Sequence, residues 1–77
     1  MKVKELFEVI DTRFFYPDIH IVDDANSRSV KAFKYLLDGG TYVKEMLDQF
    51  GNRTIVPHGV DFGTDENGID YIIIEIE

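Results

Sequence analysis

Cysteine is missing from this 77-residue chain, and so is tryptophan. Without cysteine there are no disulfides and no thiolate metal sites, which fits a reducing compartment. Proline occurs only at Pro17 and Pro57. No run approaches the ~20 apolar residues of a membrane helix. Residues 1–10 alternate charged and apolar side chains, unlike a signal peptide. Lysine and arginine are absent after Arg53, while Asp61, Asp65, Glu66, Asp70, Glu75 and Glu77 all follow it. Clustered cations of the kind that grip phosphates are therefore lacking, which argues against direct nucleic-acid binding. Serine is confined to Ser27 and Ser29. There is no Ser-His-Asp frame and no glycine-rich phosphate loop. A chain this short has little room for a deep pocket, so an enzyme is not expected.

What is present reads as one folded domain over residues 1–77, with 44% hydrophobic residues and a formal charge of −7. Solubility alone can account for that charge, and a basic partner is the functional alternative. A core this small rarely supplies more than ~3–5 kcal/mol. A metal held by His and Asp, or self-association as a homodimer, would add support.

The most informative stretch runs from Arg53 to Glu77. Asn67-Gly68 is a strong hairpin signal, because both residues tolerate positive φ. A two-residue loop would place His58, Val60 and Phe62 on the face of Ile73, Glu75 and Glu77. A three-residue loop, Glu66-Asn67-Gly68, places Val56, His58, Val60 and Phe62 with Ile72, Ile74 and Ile76. The second register keeps the apolar rows together and is preferred. Tyr71 and Ile73 then lie on the opposite face, which should be partly covered too. Pro57 cannot donate to a ladder, so its strand should be an edge or bulged there.

Along the rest of the chain, Val3, Leu6, Phe7 and Ile10 mark an amphipathic helix over Lys2 to Ile10. Asp11-Thr12 ends it. Arg13-Phe14-Phe15-Tyr16 cannot all point one way; the run reads as a core plug with a partly exposed tyrosine, or as an exposed contact beside Arg13. Asp18 to Asp24 reads as a strand, followed by turn residues Asp24-Ala25-Asn26-Ser27. Residues 29–37 suit either strand or helix; the reading preferred is a strand through about Phe33, then a helical turn at Tyr35-Leu36-Leu37. After Asp38-Gly39-Gly40, Thr41 is expected to cap a second helix, Tyr42 to Phe50, ended by Gly51-Asn52. The order α-β-β-α-β-β with hairpin-length links predicts a two-layer α+β domain, with a mainly antiparallel four-stranded sheet and two helices.

The acid-rich stretch Asp61 to Asp70 does not make a calcium hand: the first ligand position is Gly63 and the twelfth is Ile74. His20 and His58 are each followed by an aspartate three residues on. If their strands lie close, His20, Asp23 or Asp24, His58 and Asp61 could converge on one divalent ion, with zinc the candidate. Two ordinary histidines are the alternative.

The Met1-Lys-Val-Lys-Glu-Leu-Phe-Glu-Val-Ile opening, the Ile19-His-Ile-Val-Asp-Asp segment and the Asn67-Gly68 hairpin with its isoleucine-rich strand resemble small acidic accessory proteins of phages and mobile elements in Gram-positive bacteria. The resemblance implies a cytoplasmic protein of the host bacterial cell. Within that class it points to anti-CRISPR-like inhibitors, short acidic proteins that block basic nucleic-acid-binding surfaces of RNA-guided nucleases. Asp61, Asp65, Glu66, Asp70, Glu75 and Glu77, which should gather at one acidic end of the molecule, are the expected charged contacts, with Tyr16 and Tyr71 as anchors. The alternative is an oligomeric structural or regulatory accessory protein of a mobile element. In that case Tyr71 and Ile73, or the edge at Val56, form the contact.

Overall fold

A computed structural model describes residues 1–10, 16–23 and 28–77. Its elements are α1 (Val3–Val9), β1 (Asp18–Asp23), β2 (Arg28–Phe33), α2 (Tyr35–Asp38), a 3-10 turn (Gly39–Thr41), α3 (Tyr42–Phe50), β3 (Ile55–Thr64) and β4 (Asp70–Ile76). The fold is α+β. Residues 29–37 divide between strand and helix at Lys34, as preferred from the sequence. The run Asp11 to Phe15 and the turn Asp24 to Ser27 lie outside the described residues.

The sheet order is β2-β1-β4-β3. β1 with β2 and β3 with β4 pair antiparallel, and the two pairs join through β1 and β4, which run parallel. Hairpin-length links say nothing about that junction, because β1 and β4 are remote in sequence. The composition does hint at it. A strand inside a sheet with apolar residues on both faces is a centrally placed strand, and Tyr71-Ile72-Ile73-Ile74 is such a run. The connection from β2 to β3 crosses from one edge of the sheet to the other and carries α3.

The apolar stripes read from the sequence supply only part of the core: Phe7 of α1, Ile10 at its end, and Val43 and Leu47 of α3 are partly buried, while Tyr42 is fully inside. Ile19 and Ile21 of β1, Phe33 of β2, Ile55 of β3, and Ile72, Ile74 and Ile76 of β4 are buried against Val3 and Leu6 of α1 and Tyr42, Met46 and Phe50 of α3. The Phe33 and Phe50 rings meet edge to face at 6.1 Å, a favoured aromatic geometry. The end of α3 and its following loop also satisfy the start of α1. Lys4 N–H donates to the Gly51 carbonyl and Val3 N–H to the Arg53 carbonyl, each at 3.0 Å. These are donors that a helix start cannot satisfy internally. Glu5 reaches back to the Lys2 N–H at 2.9 Å. Thr41 precedes α3 as expected, but its side chain makes no capping hydrogen bond. The 3-10 turn leads the chain into the helix instead.

The hairpin has the three-residue loop. Asp65 and Ile69 close it, and Gly68 adopts φ +79°. Thr64 pairs with Asp70, Phe62 with Ile72 and Val60 with Ile74. That is the preferred register for Val60 and Phe62. It fails for Val56 and His58, because a bulge intervenes: the four residues Val56 to Gly59 stand opposite Glu75 alone, and Ile55 takes the inward place beside Ile76. Phe62, although on the face of the buried Ile72, is 54% exposed. Pro57 lies on an edge strand and in a bulge, so both structural outcomes expected of it are found together.

Gly59 is the tight point of the bulge. A Cβ there would sit 2.8 Å from the Val56 carbonyl oxygen and 2.9 Å from that of Glu75. These are backbone atoms that cannot swing aside. Gly59→Ala is therefore expected to destabilise by about 1–3 kcal/mol, the usual cost of overpacking. Gly40, with nothing within 4 Å of its would-be Cβ, is the matched control. Gly40→Ala should be neutral or gain up to about 1 kcal/mol through the unfolded state. Urea unfolding of the two variants checks the contrast.

Candidate protein-binding interface

α1 and α3 pack on one side of the sheet. Alternation along each strand then decides what faces away from them. On β1 these are Asp18, His20 and Val22; on β4 they are Tyr71, Ile73 and Glu75; β3 contributes Asp61 and β2 contributes Ser29 and Ala32. His20, Ile73 and Asp61 form one row across three strands. His20, Val22, Ser29, Tyr71 and Ile73 line a shallow apolar depression of about 320 Å³. No described element packs over it. The Tyr71 ring lies across Gly63, its partner on β3. It also meets the His20 ring edge-on at 6.4 Å.

The six acids named from the sequence do not gather at one end. Asp65, Glu66 and Asp70 mark the hairpin tip. Asp61 and Glu75 stand on the uncovered face. Glu77 follows β4 at the other end, where its N–H bonds to the Thr54 carbonyl and its own carbonyl accepts from the Arg53 guanidinium. Seven strand residues, roughly 20 Å, separate tip from tail. The result is an acidic strip along the hairpin.

Within the strip the acids differ in what they already do. One Asp65 carboxylate oxygen accepts the N–H groups of Asn67 and Ile69 at 2.8 and 3.0 Å, which holds the turn. Asp70 accepts the Thr64 hydroxyl at 2.8 Å across the last rung. These two are turn-building residues first, for the local reason that Asp carboxylates mimic a backbone acceptor.

The two tyrosines also part company. Tyr71 belongs to the uncovered face. Tyr16, 47% exposed, stacks on Tyr35 at 4.6 Å, and Tyr35 meets Tyr42 at 5.8 Å. That series leads into the core, where the Tyr42 hydroxyl donates to the Pro17 carbonyl at 2.9 Å. Burial first, and Asp18 second, push the Tyr42 hydroxyl up to about 12.

The zinc quartet is not assembled. Among the described residues no three His, Asp or Glu side chains are placed to hold an ion. His20 and Asp61 share a face, but Ile73 stands between them on β4. Two strand spacings, about 10 Å, are too many for a shared ion with bonds near 2 Å. Asp23 is on the helical side of β1 and His58 is out in the bulge at φ +60°. Asp24 lies outside the described residues.

No protein-family model, no curated protein and no solved structure matches this chain. No described helix is long and apolar enough to cross a membrane. The apolar depression is only half visible in the sequence. Tyr71 and Ile73 can be placed on a second face by phase. Val22, Ser29 and Ala32 join them only once β1 is known to lie beside β4.

Proposed function

We propose that the chain is a small acidic protein-binding inhibitor of the anti-CRISPR kind, which occupies a basic, nucleic-acid-binding surface of an RNA-guided nuclease and acts by occlusion rather than catalysis. One observation carries this reading: Asp61 and Glu75 face outward on the uncovered side of a hairpin, residues 55–76, that contains no lysine or arginine. Glu66 extends the same charge to the exposed tip. Carboxylates laid out this way steer a cationic surface into contact and set the association rate more than the affinity.

Salt is the direct test. Raising ionic strength from about 0.01 M to 0.15 M shortens the screening length from roughly 30 to 8 Å. The association rate with a basic nuclease should fall at least about tenfold over that range. Guide RNA should compete for the same surface. Stopped-flow or surface-based kinetics measures both, and absence of binding at low salt removes the proposal.

The second reading is an oligomeric accessory protein. The apolar depression at Tyr71 and Ile73 favours it, since such a patch is a natural contact for a second copy. The formal charge of −7 on each copy opposes it. Sedimentation at high concentration separates the two readings.

A further inference from the structure

We infer that the uncovered sheet face is the anchoring site for the partner, and that its occupant is a basic amphipathic helix laid along the groove between β1 and β4. This rests on the reading that the partner is a cationic protein. It adds where the contact is centred and which secondary structure makes it.

Sheet faces in two-layer domains are normally solvated by polar side chains or covered by another layer. Here the middle of the face is mixed and uncovered: across the two central strands Asp18 pairs with Tyr71, His20 with Ile73 and Val22 with Glu75, and the apolar members meet in the depression. Val22 and Ile73 are half-buried neighbours on the two central strands, and Tyr71 and His20 extend the apolar stripe along the strand direction. Toward β2 the stripe is bordered by the small residues Ser29 and Ala32, which leave room for a cylinder to settle. Toward β3 it is bordered by Asp61, and Glu75 stands on β4 itself, across from Val22. A helix of three turns is about 16 Å long, and the six residues of β1 span roughly 20 Å, so the lengths agree. A helix with leucine-type residues on one stripe would fill the depression over Val22 and Ile73. An arginine on the flank toward β3 would meet Asp61, and one near the helix end over Val22 would meet Glu75. This is the helix-in-groove mode of recognition.

Charge decides among the occupants. A second copy would bring its own Asp61 and Glu75 to the same face, together with another formal charge of −7. An extended peptide would add to a sheet edge rather than lie on a face, and the β3 edge is interrupted by the bulge at Val56–Gly59.

The probe is a synthetic amphipathic helix of leucine and arginine, with a scrambled peptide of the same composition beside it. Backbone amide shifts of the labelled full chain are followed by NMR as each is added. The expected result is that shifts centre on His20, Val22, Tyr71 and Ile73 with the amphipathic peptide only. Ile73→Lys should weaken binding at least about tenfold, a hot-spot effect. Glu45→Gln, exposed on α3 on the opposite side of the sheet, should change it less than about twofold. An Ile73→Lys protein that keeps its circular dichroism spectrum confirms that the loss is not unfolding. Shifts confined to Asp65–Asp70, equal binding of the scrambled peptide, or a dimer that protects the face without peptide would each overturn the inference. The first two would still leave a basic-partner inhibitor standing. Failure of either peptide to bind at low salt would count against both.

Discussion

Ile74→Ala should cost about 2–5 kcal/mol and leave a substantial unfolded population at 25 °C. Ile74 is fully buried in β4, with Ile21 beside it on β1 and Val60 on β3. Helix side chains close the core above it. A site enclosed on both strand neighbours and from above has little freedom to collapse around a lost side chain, so the cavity term adds to the transfer term. The whole domain has little in reserve. At 0.05–0.15 kcal/mol per residue, a chain of this length is worth roughly 4–12 kcal/mol. Ile73→Ala, one residue earlier, is the built-in comparison. Ile73 faces the other way and is only half-buried, so its loss should cost about 1 kcal/mol. Urea unfolding followed by circular dichroism should show the large shift for one and the small shift for the other. Similar midpoints would mean that the alternation along β4 does not separate inside from outside.

The same alternation explains how much of the molecule can be read from the chain. The hairpin register is legible because turn chemistry at Asn67-Gly68 and the phase of Ile72, Ile74 and Ile76 agree, and a slip of one residue would expose all three. α3 is legible because its stripe is bounded by clear breakers. The junction of β1 with β4 is not, since it depends on two segments more than forty residues apart packing the same helices. The bulge is only half legible. Pro57 announces a disturbance, but the number of residues absorbed depends on the fit of Gly59 against the Val56 and Glu75 carbonyls. The candidate site is only partly legible for related reasons. Asp65 and Asp70 look like free charges in sequence, yet the turn engages both. His20 and Asp61 look like two ends of a metal site, yet β4 inserts between their strands. The anchoring face emerges only when strand order places His20 beside Ile73 and Val22 beside Glu75.

Tyr42→Phe should reverse its stability ranking against the native protein as the pH rises. At neutral pH the variant loses the hydrogen bond to the Pro17 carbonyl, about 1 kcal/mol, and is the less stable. The Tyr42 hydroxyl is raised from 10.0 to about 12 in the fold. Burial disfavours the phenolate, and the negative charge of Asp18 adds to that penalty. Below pH 10 the hydroxyl is protonated in both folded and unfolded chains, and its contribution is intact. Between pH 10 and about 12 the unfolded chain ionises while the folded one does not, so stability is lost by roughly 1.4 kcal/mol per pH unit. The native protein should thus lose about 2–3 kcal/mol across this window, and the Tyr42→Phe variant, with no hydroxyl to ionise, has no such loss. The two curves should cross near pH 11, roughly where the alkaline loss matches the hydrogen bond. Urea midpoints of both proteins from pH 8 to 12 measure it. Curves that stay parallel would mean that the Tyr42 hydroxyl titrates alike in the folded and unfolded chain, and curves that coincide at neutral pH would mean that its bond to Pro17 adds no stability. That contact matters beyond stability. Pro17 leads directly into β1, so pinning it to α3 fixes where β1 starts beside β4. His20 and Val22 face the anchoring groove only when that start is held.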